Sequence, residues 1–363
     1  MKKLLQCLII VLVFIGCGTA NYATQEYIPI KKTPVKYKKS NKIEKSPSTN
    51  LIEKMNDNKI AIIFPSYTIG KYALEATNSV NTYLIHKNTN FTLKVYDLRV
   101  QNRQNIFKVI AQIQKDNISK VIAMITKEDL VYLNEIPNID KIQFYFPLIN
   151  KYDVKNIAKL NKLNALFGAI NYKEQFKKLI NYYRGRSFVE FYDNSGIGRT
   201  LHSHLKNERI KFTKKIDDNN GKYKSFLVNN PKLNNSVLLL NTPIVKSSIL
   251  LSAINAQRST IFSIVSTQLN YTPLLFSLTQ KNDRKKLIVA NSIGKIPSEL
   301  EEYNNLIGNN LSYSWVNYSI TVGVEYLING NITIFDDLSL KNNQVVYPIK
   351  LYRVKNNSFQ LIK

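Results

Sequence analysis

From Lys59 onward, short apolar runs of strand character alternate with longer segments whose apolar residues recur at helical spacing. Lys59–Phe64 (KIAIIF) predicts a buried strand stopped by Pro65, and Ile69–Ile85 predicts a helix. A strand at Phe91–Tyr96, a helix at Gln101–Lys115, a strand at Lys120–Ile125, a short helix at Glu128–Asn134 and a strand at Ile142–Phe146 follow. The alternation then restarts. Strands at Ala165–Ile170, Ser187–Tyr192, Ser236–Leu240 and Thr260–Val265 are separated by helices at Lys173–Tyr183, Arg199–Glu208 and Val245–Asn255. A strand at Leu287–Asn291, helices at Ser298–Ile307 and Trp315–Ile328, and a hairpin of Val345–Val354 with Phe359–Ile362, turning at Asn356-Asn357, complete the pattern. Apolar strands separated by helices mean βαβ units around parallel sheets. The predicted class is α/β with two doubly wound lobes, residues 59–165 with 270–328 and residues 166–269 with 329–363.

The first residues read differently. Lys2 and Lys3 precede Leu4–Ile15, an apolar run broken only by Gln6 and Cys7, and then Gly16, Cys17 and Gly18. This is the layout of a secretory signal. The run is short of the roughly 20 apolar residues that span a bilayer's hydrocarbon core. Gly16-Cys17 followed by small polar residues resembles the lipobox of bacterial lipoproteins, although Phe14 and Ile15 depart from its commoner residues. The resemblance implies that residues 1–17 are a lipoprotein signal, and that Cys17 is acylated and becomes the mature N-terminus. Gly18, where an Asp would hold a lipoprotein of enteric bacteria at the inner membrane, favours the outer membrane. Residues 18–58 are rich in lysine, with Pro29, Pro34 and Pro47, and predict a tether between the membrane and the lobes.

Charge changes the picture only once this address is known. The 363 residues carry 51 Lys+Arg against 25 Asp+Glu, a net charge of +26, yet 44% are hydrophobic, enough for real cores. Two lysines in the signal and a surplus of four cations in the tether leave +20 on the lobes. Nucleic acid, the usual partner of so basic a chain, is excluded by an envelope location. The charge points instead to anionic lipid, cell-wall polymer or acidic protein partners. With cysteines only at positions 7 and 17, the lobes contain no disulfide, thiolate metal site or cysteine nucleophile.

The order of elements also matches a family. Ile60–Asp97, with its strand, Pro-Ser loop, Gly-Lys-Tyr-Ala helix start and second strand ending in Asp, resembles the opening of type 1 periplasmic binding proteins. Phe167-Gly168, Tyr192-Asp193-Asn194-Ser195 with Gly196 and Gly198, and Gly323-Val324-Glu325-Tyr326-Leu327 fit later signposts. Within that superfamily the chain looks most like penicillin-binding-protein activator lipoproteins and leucine-binding-like proteins of transporters. The resemblance implies the type 1 periplasmic binding fold and a ligand cleft between lobes at the carboxyl ends of strands. Facing that cleft would be Ser66, Tyr67, Thr68, Thr126 and Lys127 from the first lobe and Asp193, Asn194 and Ser195 from the second. The hydroxyls suit a ligand carboxylate, and Glu325 would suit an ammonium. Ser66, Thr68 and Thr126 equally suit simple N-capping of the helices that follow.

The remaining signals build no chemistry. His202 and His204 are two apart and fall on different helix faces, so they are not a zinc pair, and no metal or cofactor is expected. Gly196-Ile197-Gly198 lacks the third glycine and the lysine of phosphate loops and reads as a strand-to-helix turn. Asp217-Asp218 and Asp336-Asp337 read as solvated turns. Aromatic clusters at Gln143–Tyr152 and Tyr313–Tyr326 predict core phenylalanines and tyrosines suited to interface contact. The sequence thus predicts a non-enzymatic envelope lipoprotein, anchored in a membrane by its lipid. The resemblance to the activator lipoproteins implies the role of a regulator or scaffold with a periplasmic protein partner such as a peptidoglycan synthase. A solute-binding lipoprotein of an importer for amino acids or a similar small ligand is the alternative.

Overall fold

A computed structural model describes residues 58–154, 156, 159–216, 223–257 and 260–363. The expected signal with Cys7 and Cys17, residues 18–57 of the expected tether and the Asp217-Asp218 pair lie outside the described residues, and Asn58, expected to end the tether, already belongs to the first strand.

The first sheet begins with β1 (Asn58–Phe64), β2 (Phe91–Asp97), β3 (Lys120–Ala123), β4 (Gln143–Phe146) and β5 (Asn164–Phe167), all parallel. β11 (Ser339–Lys341) and β12 (Gln344–Val346) complete the order β11-β12-β5-β4-β3-β1-β2. The second sheet has the order β14-β13-β10-β9-β8-β6-β7. Its parallel strands are β6 (Phe188–Asp193), β7 (Ile210–Ile216), β8 (Val237–Asn241), β9 (Ser263–Ser266) and β10 (Leu287–Asn291). The antiparallel hairpin of β13 (Lys350–Lys355) and β14 (Ser358–Leu361) covers one edge. In each sheet the first strand lies between the second and third, so the winding direction reverses beside β1 and beside β6. Both sheets belong to one compact unit, and their layout is the type 1 periplasmic binding α/β fold.

The central strands of each sheet are buried on both faces, with successive residues of a strand pointing to opposite sides. Ile60 and Ile62 pack under α1 (Ser66–His86) and, from far along the chain, α10 (Ser298–Leu306) and α11 (Trp315–Asn329). Ala61 and Ile63 face α2 (Arg103–Lys115) and α3 (Leu130–Glu135). In the second lobe α4 (Tyr172–Tyr182) and α5 (Gly196–His204) cover one face, and α7 (Ile244–Ala256) with α8 (Leu274–Leu278) the other. The short helices α6 (Lys224–Leu227) and α9 (Lys281–Arg284) and the strand β7 carry too few apolar residues to stand out in the sequence. Along β7 (IKFTKKI) the lysines are exposed or half-buried at the sheet edge.

The chain changes lobes three times, at 168–171, 292–297 and 347–349, and each passage comes later than the sequence expectation. The segment 270–291 stays in the second lobe, because fully buried β10 extends the parallel sheet beside β9 instead of leaving with the helices that follow. The expected long strand Val345–Val354 is two strands in different sheets, divided at Pro348, which has no N–H to continue a ladder. The first lobe also keeps β5 through Phe167 and gains the β11–β12 hairpin, so residues 339–346 belong to it and not to the second lobe. That hairpin turns on Asn342 and Asn343, both with positive φ. Apart from Arg99, every described non-glycine residue with positive φ is an asparagine, whose short polar side chain tolerates the left-handed region.

The passages are held by buried polar bonds. Tyr347 donates to the Gly168 carbonyl at 2.8 Å, and Ser319 of α11 donates to the same oxygen at 3.0 Å. Gln175 of α4 bonds Ser292 at 2.8 Å, and the Ser292 N–H donates to Gln268 at 2.6 Å. Asp337, one of the acids expected in a solvated turn, accepts from Lys350 at 3.1 Å and from the Lys295 N–H at 3.4 Å.

Candidate functional site

Doubly wound sheets leave a crevice beyond the carboxyl ends of the strands where the winding reverses. A cavity of about 260 Å³ lies there in the first lobe. Thr68 and Ile69 follow β1, Met124 to Glu128 follow β3, and Leu148 to Asn150 follow β4 around it. Thr200 of α5 reaches it from the second lobe. Of the residues expected from the sequence, Thr68, Thr126 and Lys127 therefore converge.

The others are spent on the fold. The Ser66 N–H donates to Asp97 at 3.0 Å, and Arg99 N–H donates to the same carboxylate oxygen at 2.6 Å. Asp97 at the end of β2 thus caps α1, a role the sequence reading assigned to the serine and threonine. Tyr67 is 78% exposed and does not line the cavity. Thr126 behaves as a cap: its hydroxyl and its N–H both donate to Asp129, at 2.8 and 3.3 Å. Lys127 is exposed at the cavity rim.

In the second lobe, Asp193 is buried and saturated. Lys246 reaches it at 2.7 Å, and the Ser195 hydroxyl and N–H donate to it at 2.5 and 3.2 Å. Burial opposes its charge, but Lys246 and Ser195 outweigh burial and hold the carboxyl below its ordinary pKa. Ser195 in turn accepts the Gly198 N–H at 3.0 Å as N-cap of α5. A Cβ on Gly198 would lie 2.3 Å from an Asp193 oxygen, which explains that glycine as part of a tight strand-to-helix turn. Asn194 is exposed, and its carbonyl is taken by the Arg199 guanidinium.

Glu325 departs furthest from expectation. It sits inside the first lobe with no exposed surface and does not face the cleft. Tyr83 of α1 donates to one carboxylate oxygen. The other accepts the Thr333 N–H at 2.9 Å, the Thr333 hydroxyl at 2.6 Å and the Ile334 N–H at 3.3 Å. Burial raises its pKa, but the bonds from Thr333 and Tyr83 prevail and hold it below the ordinary 4.5. It fastens α11 to α1 and is not free to meet an ammonium ligand.

Between the lobes the reading missed Asp153, which no local motif marks. Its carboxylate meets Lys173 of α4 at 2.9 Å and lies 3.9 Å from His204 of α5. Burial holds His204 below the ordinary imidazole pKa against the pull of Asp153, so at neutral pH only Lys173 is a charged partner. His202 instead pairs with buried Glu190 at 2.8 Å and stacks on Tyr192. Of the aromatic clusters, Phe144, Tyr145, Phe146 and Tyr318 are core, whereas Tyr152 is 54% exposed.

No protein-family profile and no curated protein matches this sequence. Solved structures do match. A putative branched-chain amino acid ABC transporter protein from Rhodospirillum rubrum has a TM-score of 0.63 at 9% identity, covering 84% of this chain and 100% of its own. The C-domain of LpoA from Haemophilus influenzae, a regulator of PBP1A, has a TM-score of 0.57 at 10% identity, covering 84% and 100%. The leucine binding protein LivK from Thermotoga maritima has a TM-score of 0.54 at 14% identity, covering 84% and 97%. The chain spans 59% of the length of full-length LpoA. At such identities the likeness establishes the fold: two lobes of the type 1 periplasmic binding architecture, shared by a leucine binding protein and by a regulator of PBP1A.

Proposed function

We propose that this chain is a lipid-anchored cell-envelope protein that works without catalysis, as a regulator or scaffold of envelope machinery such as peptidoglycan synthesis. The observation that carries this reading is the state of two carboxylates that the sequence placed at the ligand cleft. Asp193 is paired with Lys246, and Glu325 is buried inside the first lobe with both oxygens taken by Tyr83, Thr333 and Ile334, so neither is free for a ligand's ammonium. A cleft used for amino-acid capture keeps such groups free to converge on its ligand. Here the cavity of about 260 Å³ offers Thr68, Thr126, the rim residues Lys127 and Glu128, Asp153 already paired with Lys173, and apolar Ile69, Met124 and Leu148. The regulator LpoA provides the matching precedent of this fold serving protein partners.

In this reading Cys17 carries the lipid, residues 18–58 bridge to the lobes, and the outer membrane is the site of anchorage, with the lobes facing the periplasm. Palmitate labelling of wild type and Cys17→Ala tests the anchor: label confined to wild type supports it, and equal label in both sinks it. Crosslinking in cells followed by mass spectrometry tests the function, with a peptidoglycan synthase or other envelope machine as the expected catch. Recovery of permease subunits alone would favour the second reading, a solute-binding lipoprotein, which rests on the Thr68, Thr126 and Lys127 cavity and the amino-acid-binding neighbours. That reading requires a small ligand to raise the melting temperature, by the equivalent of about 3 to 4 kcal/mol at 100 to 1,000 times its dissociation constant.

A further inference from the structure

A larger depression of about 750 Å³ runs along the passages between the lobes, meeting the candidate ligand cavity at Asn150. One wall is the exposed side of α4 in the second lobe, and the other is β12 with Lys341 of the first. Asn171, Ser292 and Tyr347, one residue from each crossing, lie along it. Its floor is closed by buried Val345 and Tyr347, and apolar surface continues to Val346 and Tyr152, 39% and 54% exposed.

The charges around this apolar floor are one-sided. Lys173, Lys177, Lys178 and Lys341 line the groove against a single lining carboxylate, Glu174. Lys177 is paired with Glu174 at 2.6 Å, and Lys173 reaches across to Asp153. The Lys177–Glu174 pair is solvent-exposed and holds its lysine by no more than about 1 kcal/mol, while the Lys173–Asp153 pair is partly buried on its acid side. Lys178 and Lys341 have no acidic partner among the described residues and stand on opposite walls.

We infer that this groove is a docking site for an acidic peptide segment of a protein partner, one carrying apolar side chains between its carboxylates. The inference rests on the scaffold reading and names the partner's chemistry. Carboxylates meet the lysines of both walls, while aliphatic or aromatic side chains cover Val345, Val346 and Tyr152. A polyanion without apolar groups satisfies only the walls, and a bilayer surface cannot enter a concave groove. The occupant touches both lobes and all three crossings, so its binding reports on how the lobes are set relative to each other.

The test uses the protein produced from its full sequence, in detergent solution, and a fluorescein-labelled ten-residue peptide of glutamates alternating with leucine and phenylalanine. Fluorescence anisotropy should show saturable binding that weakens at least tenfold when the glutamates are replaced by glutamine. The Lys178→Glu/Lys341→Glu variant should lose at least tenfold, while Lys108→Glu/Lys115→Glu, with the same change in net charge on exposed α2, stays within twofold. Failure of the peptide to bind, or equal loss in the two double variants, overturns the proposal. So does equal binding of polyglutamate or of phosphatidylglycerol vesicles. In cells, a photoreactive residue at Tyr152 should capture the same envelope machine that bulk crosslinking recovers. Capture of that machine from Leu306, 83% exposed on α10, but not from Tyr152 overturns the groove and leaves the scaffold reading standing; permease capture alone overturns the scaffold reading itself.

Discussion

Replacing Glu325 with glutamine separates a structural carboxylate from a ligand-binding one. In the folded protein one carboxylate oxygen accepts the Tyr83 hydroxyl, which already accepts from Asn329 at 3.1 Å. The other accepts three donors from Thr333 and Ile334. Glu325→Gln puts an N–H₂ group opposite the Tyr83 hydroxyl, leaves that proton without its acceptor, and turns the remaining charge-assisted bonds into neutral ones. A hydrogen bond to a charged group contributes about 1.5 to 3 kcal/mol, so losing one and weakening three should cost about 2 to 4 kcal/mol at pH 7. At about 2 to 4 °C per kcal/mol this is a fall in melting temperature of about 5 to 15 °C. Differential scanning calorimetry across pH supplies a second reading. The folded pKa is depressed, so the stabilisation is complete above the unfolded value near 4.5 and disappears as pH falls through the folded value. The gap between wild type and Glu325→Gln should therefore be constant at neutral pH and narrow below about pH 4.5. An unchanged melting temperature at pH 7, together with lost binding of an amine-bearing ligand, would refute this account and return Glu325 to the cleft.

Two further substitutions probe the close packing and the cap. A Cβ on Gly323 of α11 would fall 2.2 Å from the Tyr145 ring, so Gly323→Ala should cost about 1 to 3 kcal/mol in urea unfolding. Gly196→Ala, with nothing within 4 Å and no positive φ, is the matched control and should lower the midpoint far less. Asp97→Ala removes the acceptor for the Ser66 and Arg99 N–H groups and should lower stability by about 0.5 to 2 kcal/mol, whereas Asp97→Asn should recover most of it in the same titration.

The hydrophobic pattern carried the order of the larger elements because each strand's period of two and each helix's period of 3.6 is written in neighbouring residues. Helix α11 and strand β10 begin at the residues the pattern predicts. Even the turn at Asn356-Asn357 was legible, since it joins paired β13 and β14. The β11–β12 hairpin was not, because three-residue strands offer too few alternations, and β7 was hidden by its solvated lysines. In the site, Thr68, Thr126 and Lys127 were predictable as loop residues at strand ends.

What sequence alone determined, then, was the alternation of strand and helix, the two-lobed class and the excess of positive charge. Tertiary structure decided which sheet receives β10 and β12, and which polar residues remain available for a partner. The physical reason is range. Tyr83 and Glu325 are 242 positions apart and still share a proton-donating bond, and Asp193 meets Lys246 across 53. A carboxylate that reads as a ligand contact in its own stretch of chain is already occupied by a donor that only folding brings beside it.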